Sequence, residues 1–279
     1  SWISLFSGAF TMAHLSIVFF RSHGNPDVFR LYPARFVAVP LLLFAAMMLS
    51  SWVLVFIFVL AVWWDVYHSA LQTFGLGRMY DARSRALSDE SRRLDRGLNL
   101  LLYLGPILGG AALWDHMRHF EKFSEVGSAF FSVVPAFAGE HHAVLTAAVL
   151  SAGTVYVCYY LWRYRQLARE GYPVSRQKVA LFAATGFCSI YAWGFNSFGQ
   201  AFFIMNFFHA LQYFALIWHA EKPRIRFLPV LLAAGFGYGV WAKGWGESSH
   251  AAMSLLLTVS IMHFWYDGFI WSVREKSDA

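Results

Sequence analysis

Four histidines and two carboxylates stand in stretches of this sequence where nearly everything else is apolar, and their types are those that hold a metal ion. Asp65 and His68 are three residues apart in WWDVYHSALQ, and His263 and Asp267 are four apart in IMHFWYDGFIW. At either spacing two side chains leave a helix on one face, so each pair would point into the same space. His14 in FTMAHLSIVFF and His209 in NFFHALQYF stand singly, with Gln212 and Tyr213 one turn beyond His209. Neutral imidazole nitrogens and carboxylate oxygens suit iron, zinc or manganese, and a carboxylate offsets metal charge and can bridge two ions. Together His14, Asp65, His68, His209, His263 and Asp267 would serve one ion or, sparsely, two, with positions left for water, oxygen or substrate. Around them, Gln212, Tyr67, Gln72, Tyr213, Tyr266 and Asn206 are candidates to fix imidazole tautomers or hold a bound water. Trp64, Phe208, Phe264 and Trp265 are candidates to line an apolar substrate site.

These residues need elements to carry them. The chain of 279 residues is 58% hydrophobic and 14% charged, too little polar surface to cover a soluble globule. A membrane span takes about 20 apolar residues. By that measure the candidates are Trp2–Phe20, Phe36–Leu49, Trp52–Phe74, Leu98–Trp114, Ala143–Trp162, Val179–Phe198, Ala201–Trp218, Phe227–Trp241 and Ala251–Val273. The apolar run over 36–77 is too long for one helix and is divided at Ser50–Ser51. No linker, low-complexity tract or repeat period marks a second domain. The expected fold is all-α, a polytopic transmembrane bundle of about nine helices forming one domain over 1–279, its opening stretch read as a true span.

Charge orients the bundle. With nine spans, 19 of the 22 Lys and Arg residues fall on one side, and only Arg118, Lys122 and Lys243 on the other. This predicts a cytoplasmic C-terminus and an N-terminus on the opposite face. The net charge of +6 is then a topology and headgroup signal, and no nucleic-acid partner is expected. Cys158 and Cys188 lie in spans without CxxC spacing and read as buried small hydrophobes.

Of the 16 acidic residues, only Asp65 and Asp267 fall well inside spans, where an ionisable group is costly unless paired or ligating. The spans carrying the six polar groups are the first, third, seventh and ninth, all running in one direction, with each group at or past the middle. Four helices therefore bring imidazole or carboxylate to one depth in the cytoplasmic half, as a bundle-interior metal site requires. His116, His119, His141, His142 and His250 fall on the external side, where the HMRH and EHH strings read as a surface metal site or, more commonly, as solvated loops. His23 and His219 fall at the cytoplasmic edge.

The strings WWDVYH, FFHALQYF and HFWYDGF resemble in kind the polytopic, histidine-rich non-haem iron enzymes of membranes. These include fatty-acid desaturases and hydroxylases, sterol and carotenoid oxygenases, and the Brp/Blh type of β-carotene dioxygenase. The HxxxH and HxxHH boxes of the desaturases are absent. The resemblance implies iron, activation of O2, and desaturation, hydroxylation or cleavage of a lipid or isoprenoid-like substrate. It also implies an electron-transfer protein on the cytoplasmic side for a desaturase or hydroxylase, and none for a dioxygenase. The expected location is the bacterial inner membrane. Two other classes fit the same residues, and a bis-histidine haem protein is a third, weaker fit. One is a zinc-dependent intramembrane lipid hydrolase resembling the ceramidase and progestin-receptor superfamily, with Asp65 or Asp267 as base. The other is a transporter in which the His/Asp pairs relay protons without metal, although no inverted repeat accompanies them.

Overall fold

A computed structural model of the chain describes residues 2–86, 88–117, 137, 139–221 and 228–270, and all regular structure among them is helical. In chain order the helices are α1 (Trp2–Ser22), α2 (Pro26–Leu31), α3 (Pro33–Leu49), α4 (Ser51–Arg83), α5 (Asp89–Gly109), α6 (Ala111–Met117), α7 (His142–Arg169), α8 (Arg176–Phe195), α9 (Phe198–Glu221), α10 (Leu228–Trp245) and α11 (His250–Ile270). Local chemistry sets several boundaries. Asn25 caps α2 by accepting from the Asp27 amide, with Pro26 at the first helical position, where its missing N–H costs nothing. Ser88 accepts from the Ser91 amide, and Asp89 and Glu90 follow at the positive end of α5. Ser175 caps α8 through the Lys178 amide. The long apolar run turns at Ser50, between α3 and α4, at the sequence cut.

Six helices, α1, α4, α7, α8, α9 and α11, are long and apolar enough to cross a bilayer, the mark of an integral membrane protein. The described residues of the nine stretches singled out in the sequence fall largely in helices, six stretches on these six helices and three on helices that are shorter or less apolar. Helix α3 has 17 residues with Pro40 inside it. The stretch Leu98–Trp114 is broken between α5 and α6 at Gly110, and α5 opens on the charged DESRRLDR. Helix α10 dilutes its apolar residues with glycines and Lys243.

The chain forms two compact units, one of Ser1–His68 and Phe207–Ala279, the other of Ser69–Asn206. In the first unit α1 packs against α10 and α11, and α11 against α3. The α1–α10 pair is close because small residues face it. A Cβ placed on Gly239 would lie 2.0 Å from the Ala9 carbonyl oxygen, and one on Gly235, a turn earlier, 3.4 Å from Ile17. Ile17, Val18, Phe36, Met47, Ile261 and Tyr266 fill the core beside this pair. His250, read from sequence as an external loop residue, donates through Nε2 to the Met47 carbonyl at 2.8 Å and ties α11 to the end of α3.

Gly239→Ala is expected to destabilise the protein by about 1–3 kcal/mol, because backbone rather than a flexible side chain blocks the new methyl. Gly237 faces open space, so Gly237→Ala should be neutral or stabilising by up to about 1 kcal/mol from helix propensity. Thermal unfolding of the two variants in detergent compares them, and equal behaviour would refute the close α1–α10 contact.

In the second unit α5 packs against both α7 and α8, and α6 against α8. Gly97 leaves room for the Tyr156 hydroxyl, which donates to the Leu94 carbonyl at 2.8 Å. His142 and Thr146 of α7 reach the carbonyls of Gly110 and Gly109 at 3.2 and 2.9 Å, satisfying the open end of α5. His141 bonds to the Phe137 carbonyl, and His116 stacks on Phe198 at 4.2 Å. The three described members of the external histidine strings therefore have protein partners; His119 lies outside the described residues.

This unit also corrects the reading of charge. Lys178, Asp81 and Asp95 lie outside the nine apolar stretches, yet all three are buried. Lys178 Nζ donates to Asp81 Oδ2 and Asp95 Oδ2, both at 2.9 Å, and to the Tyr164 hydroxyl at 2.8 Å. Asp95 Oδ1 accepts from Tyr160 and Tyr164 at 2.9 and 2.6 Å. Arg78 donates to Asp81 and to Ser91 at 2.9 and 3.1 Å. The knot joins the end of α4, the start of α5, the end of α7 and the start of α8.

Candidate metal centre

Four imidazoles of the first unit, carried on four helices, meet in one place. His14 comes from α1, His68 from α4, His209 from α9 and His263 from α11, and none is more than 4% exposed. The ring centroids of His14 lie 5.0 Å from both His209 and His263, and those of His68 lie 4.9 Å from both. His209 and His263 are 6.2 Å apart across the group. The rings thus form a closed quadrilateral rather than a chain.

The spacing can be tested against an ion. With metal–nitrogen bonds of about 2.1 Å and about 1.1 Å from nitrogen to ring centre, imidazoles sharing one ion have centroids about 4.5–6.4 Å apart for bond angles from about 90° to 180°. Every one of the five distances falls in that window. Donor atoms of His14, His209 and His263 also lie mutually within 4.8 Å, as do those of His68, His263 and Asp267.

Hydrogen bonding points the same way. His14 Nδ1 is bonded to the Thr11 carbonyl, and a carbonyl can only accept, so Nδ1 carries the proton and Nε2 keeps its lone pair. Nε2 of His14, His68 and His263 is buried and has no hydrogen-bond partner among the described residues. Asp267 Oδ2 lies 3.6 Å from His68 Nε2 and 3.9 Å from His263 Nε2. Both separations are too long for hydrogen bonds. They match the edges of a coordination shell, about 3.0–4.0 Å for donors about 2.1 Å from a common ion. Buried polar nitrogens left unpaired are costly, and a metal would resolve that cost. The residues present therefore fit a metal ion.

The surrounding candidates separate by position. Tyr213, a turn beyond His209, donates to Asp267 Oδ1 at 3.0 Å. Phe264 packs on His68 at 5.1 Å and on Trp64 at 6.4 Å, giving the imidazoles an apolar flank. Asp65 is buried a turn before His68, but neither donor group that closes within 4.8 Å includes it. Tyr67 is 52% exposed. Tyr266 turns to α3, its hydroxyl on the Phe36 carbonyl at 3.4 Å, and Trp265 packs on Tyr266 and Phe269. Phe208 and Gln212 are half-buried on α9. Gln72 and Asn206 belong to the second unit, where Asn206 donates to the Phe202 carbonyl of its own helix at 3.1 Å. The knot around Lys178 escaped the sequence reading altogether. Its Arg78–Asp81 pair is spaced i,i+3 on α4.

Compared with protein-family models, with curated proteins and with solved structures, the chain matches none.

Proposed function

We propose that the protein is a membrane-embedded, metal-dependent oxidoreductase that uses iron and O2 to oxidise a lipid or isoprenoid-like apolar substrate. The observation that carries this reading is the closed ring of four buried imidazoles with one carboxylate beside it. Catalytic zinc keeps three protein ligands and one open position, and four imidazoles would already fill its tetrahedron. Iron accepts more ligands and retains open positions beside histidine and carboxylate donors, which favours oxygen chemistry over hydrolysis.

Iron held there would supply the activation of O2. The chain's own residues do the rest. Thr11 fixes the tautomer of His14, and Phe264 with Trp64 forms an apolar wall against which an acyl or isoprenoid chain would lie. Burial of all four imidazoles keeps bulk water from the reacting atoms.

For topology, the reading includes nine crossings in the bacterial inner membrane, an external N-terminus, a cytoplasmic C-terminus and a site in the cytoplasmic half. The bias of basic residues supports it, at 18 against 3 once the buried Lys178 is withdrawn. If the substrate is desaturated or hydroxylated, a cytoplasmic redox protein supplies the electrons.

Elemental analysis of protein purified without chelators tests the proposal. The expected result is about one iron per chain, together with O2 consumption when an acyl or isoprenoid substrate is added. Stoichiometric zinc would transfer the site to hydrolysis, and a metal-free protein would end the enzyme reading.

A further inference from the structure

We infer that Tyr213 is a positioning residue of the centre: by holding one oxygen of Asp267 it leaves the other as a single-oxygen donor to the ion. The inference rests on the reading of the four-histidine ring as a metal centre, and it adds a residue whose role that reading does not require.

The placement is systematic. Tyr213 follows His209 by four residues on α9, and Asp267 follows His263 by four on α11. Each helix thus gives the centre an imidazole and, one turn on, one member of the Tyr–Asp pair. Tyr213 is fully buried, and its ring lies 4.7 Å from His263 and 6.2 Å from both His14 and His209. Its hydroxyl donates to Asp267 Oδ1 at 3.0 Å, while Oδ2 is the oxygen that faces His68 and His263.

A carboxylate beside an ion has three choices: bind through both oxygens, bind through one, or swing away. A phenol donating to Oδ1 engages that oxygen's lone pair and opposes both the two-oxygen mode and rotation. The consequence is chemical as well as structural. One-oxygen binding would spend a single coordination position on Asp267 and leave another for O2 or substrate beside four imidazoles.

A built-in control exists on α11. Tyr266 is equally buried, three residues from His263, but its hydroxyl goes to the Phe36 carbonyl and its ring packs on Phe36 at 4.9 Å. A general loss of packing from removing a buried hydroxyl would appear in both tyrosines. A loss specific to the centre would appear in one.

The test uses the full chain in detergent, stripped of metal and titrated with Co2+ as the probe, reading affinity by chelator competition and coordination by the visible spectrum. Wild type is expected to bind one Co2+, Tyr266→Phe to match it, and Tyr213→Phe to bind about 10–100-fold more weakly with an altered spectrum. In an Asp267→Asn background, Tyr213→Phe should cost no further affinity, because the group it positions is already gone. The assignment is overturned if Tyr213→Phe keeps wild-type affinity and spectrum, if Tyr266→Phe shifts both alike, or if Tyr213→Phe costs as much with Asp267→Asn as without it. Failure of the wild type to bind Co2+ would instead overturn the metal centre itself, and it is read before any variant is made.

Discussion

On the proposed metal-centre reading, alanine in place of any one of His14, His68, His209 or His263 is expected to remove most of the bound metal and with it the activity, whereas His141→Ala and His142→Ala leave both intact. The reason lies in the closed geometry. Each of the four rings has two others at 4.9–5.0 Å, so none is a spare that a neighbour could replace. Loss of a group that merely orients a ligand weakens metal binding about 10–100-fold, and loss of a ligand itself should exceed that. His142 offers the contrast. It bonds to Gly110 O and to Thr146, so His142→Ala should lower stability by about 0.5–1.5 kcal/mol while metal content stays unchanged. Elemental analysis and thermal unfolding on the same samples separate the two effects. If only one or two of the four alanine variants lost metal, the ring would not be a single site.

Much of this centre was legible because the bilayer makes polar residues conspicuous. A histidine or carboxylate inside an apolar helix has few explanations, and spacings of three or four residues reveal which pairs share a face. Local spacing does not reveal how each helix is rotated in the bundle. Asp65–His68 and His263–Asp267 look equivalent in sequence, yet α11 delivers both of its members to the donor groups and α4 delivers only His68. Tyr67 is adjacent to His68, and adjacent residues on a helix diverge by about 100°. Its exposure follows from the burial of His68. Tyr266 is the harder case. It shares a face with His263 by spacing, and only the position of α3 draws its hydroxyl elsewhere. The number of crossings was harder still, since an apolar stretch and a full-length span differ by a few residues, as in the 17-residue α3.

The charged knot was illegible for a different reason, and it carries the second large prediction. Charges near helix ends are ordinarily solvated, and nothing local announces that four ends converge; Asp95 and Lys178 are 83 residues apart in sequence. A partial signal was available, since Ser91, Asp95, Asn99 and Tyr103 recur at four-residue steps along α5 and all are buried. The polar stripe is thus an interior face. Lys178 sits at its charged end, with Nζ 4.9 Å from the centre of the Tyr164 ring as well as on both carboxylates. Removing it would leave two buried carboxylates facing one partly exposed arginine, Arg78. Lys178→Ala is therefore expected to destabilise the protein by about 3–5 kcal/mol, the cost of stranding a buried charge. The pair itself need not stabilise to that extent, because desolvation of three charged groups offsets most of their attraction. That asymmetry sets the decisive comparison. Lys178→Met combined with Asp95→Asn fills similar volume with less charge and should recover a substantial part of the loss, giving a favourable coupling in a double-mutant cycle read by thermal unfolding. If the double variant were as unstable as the sum of the two single ones, the knot would be independent packing contacts rather than one electrostatic unit.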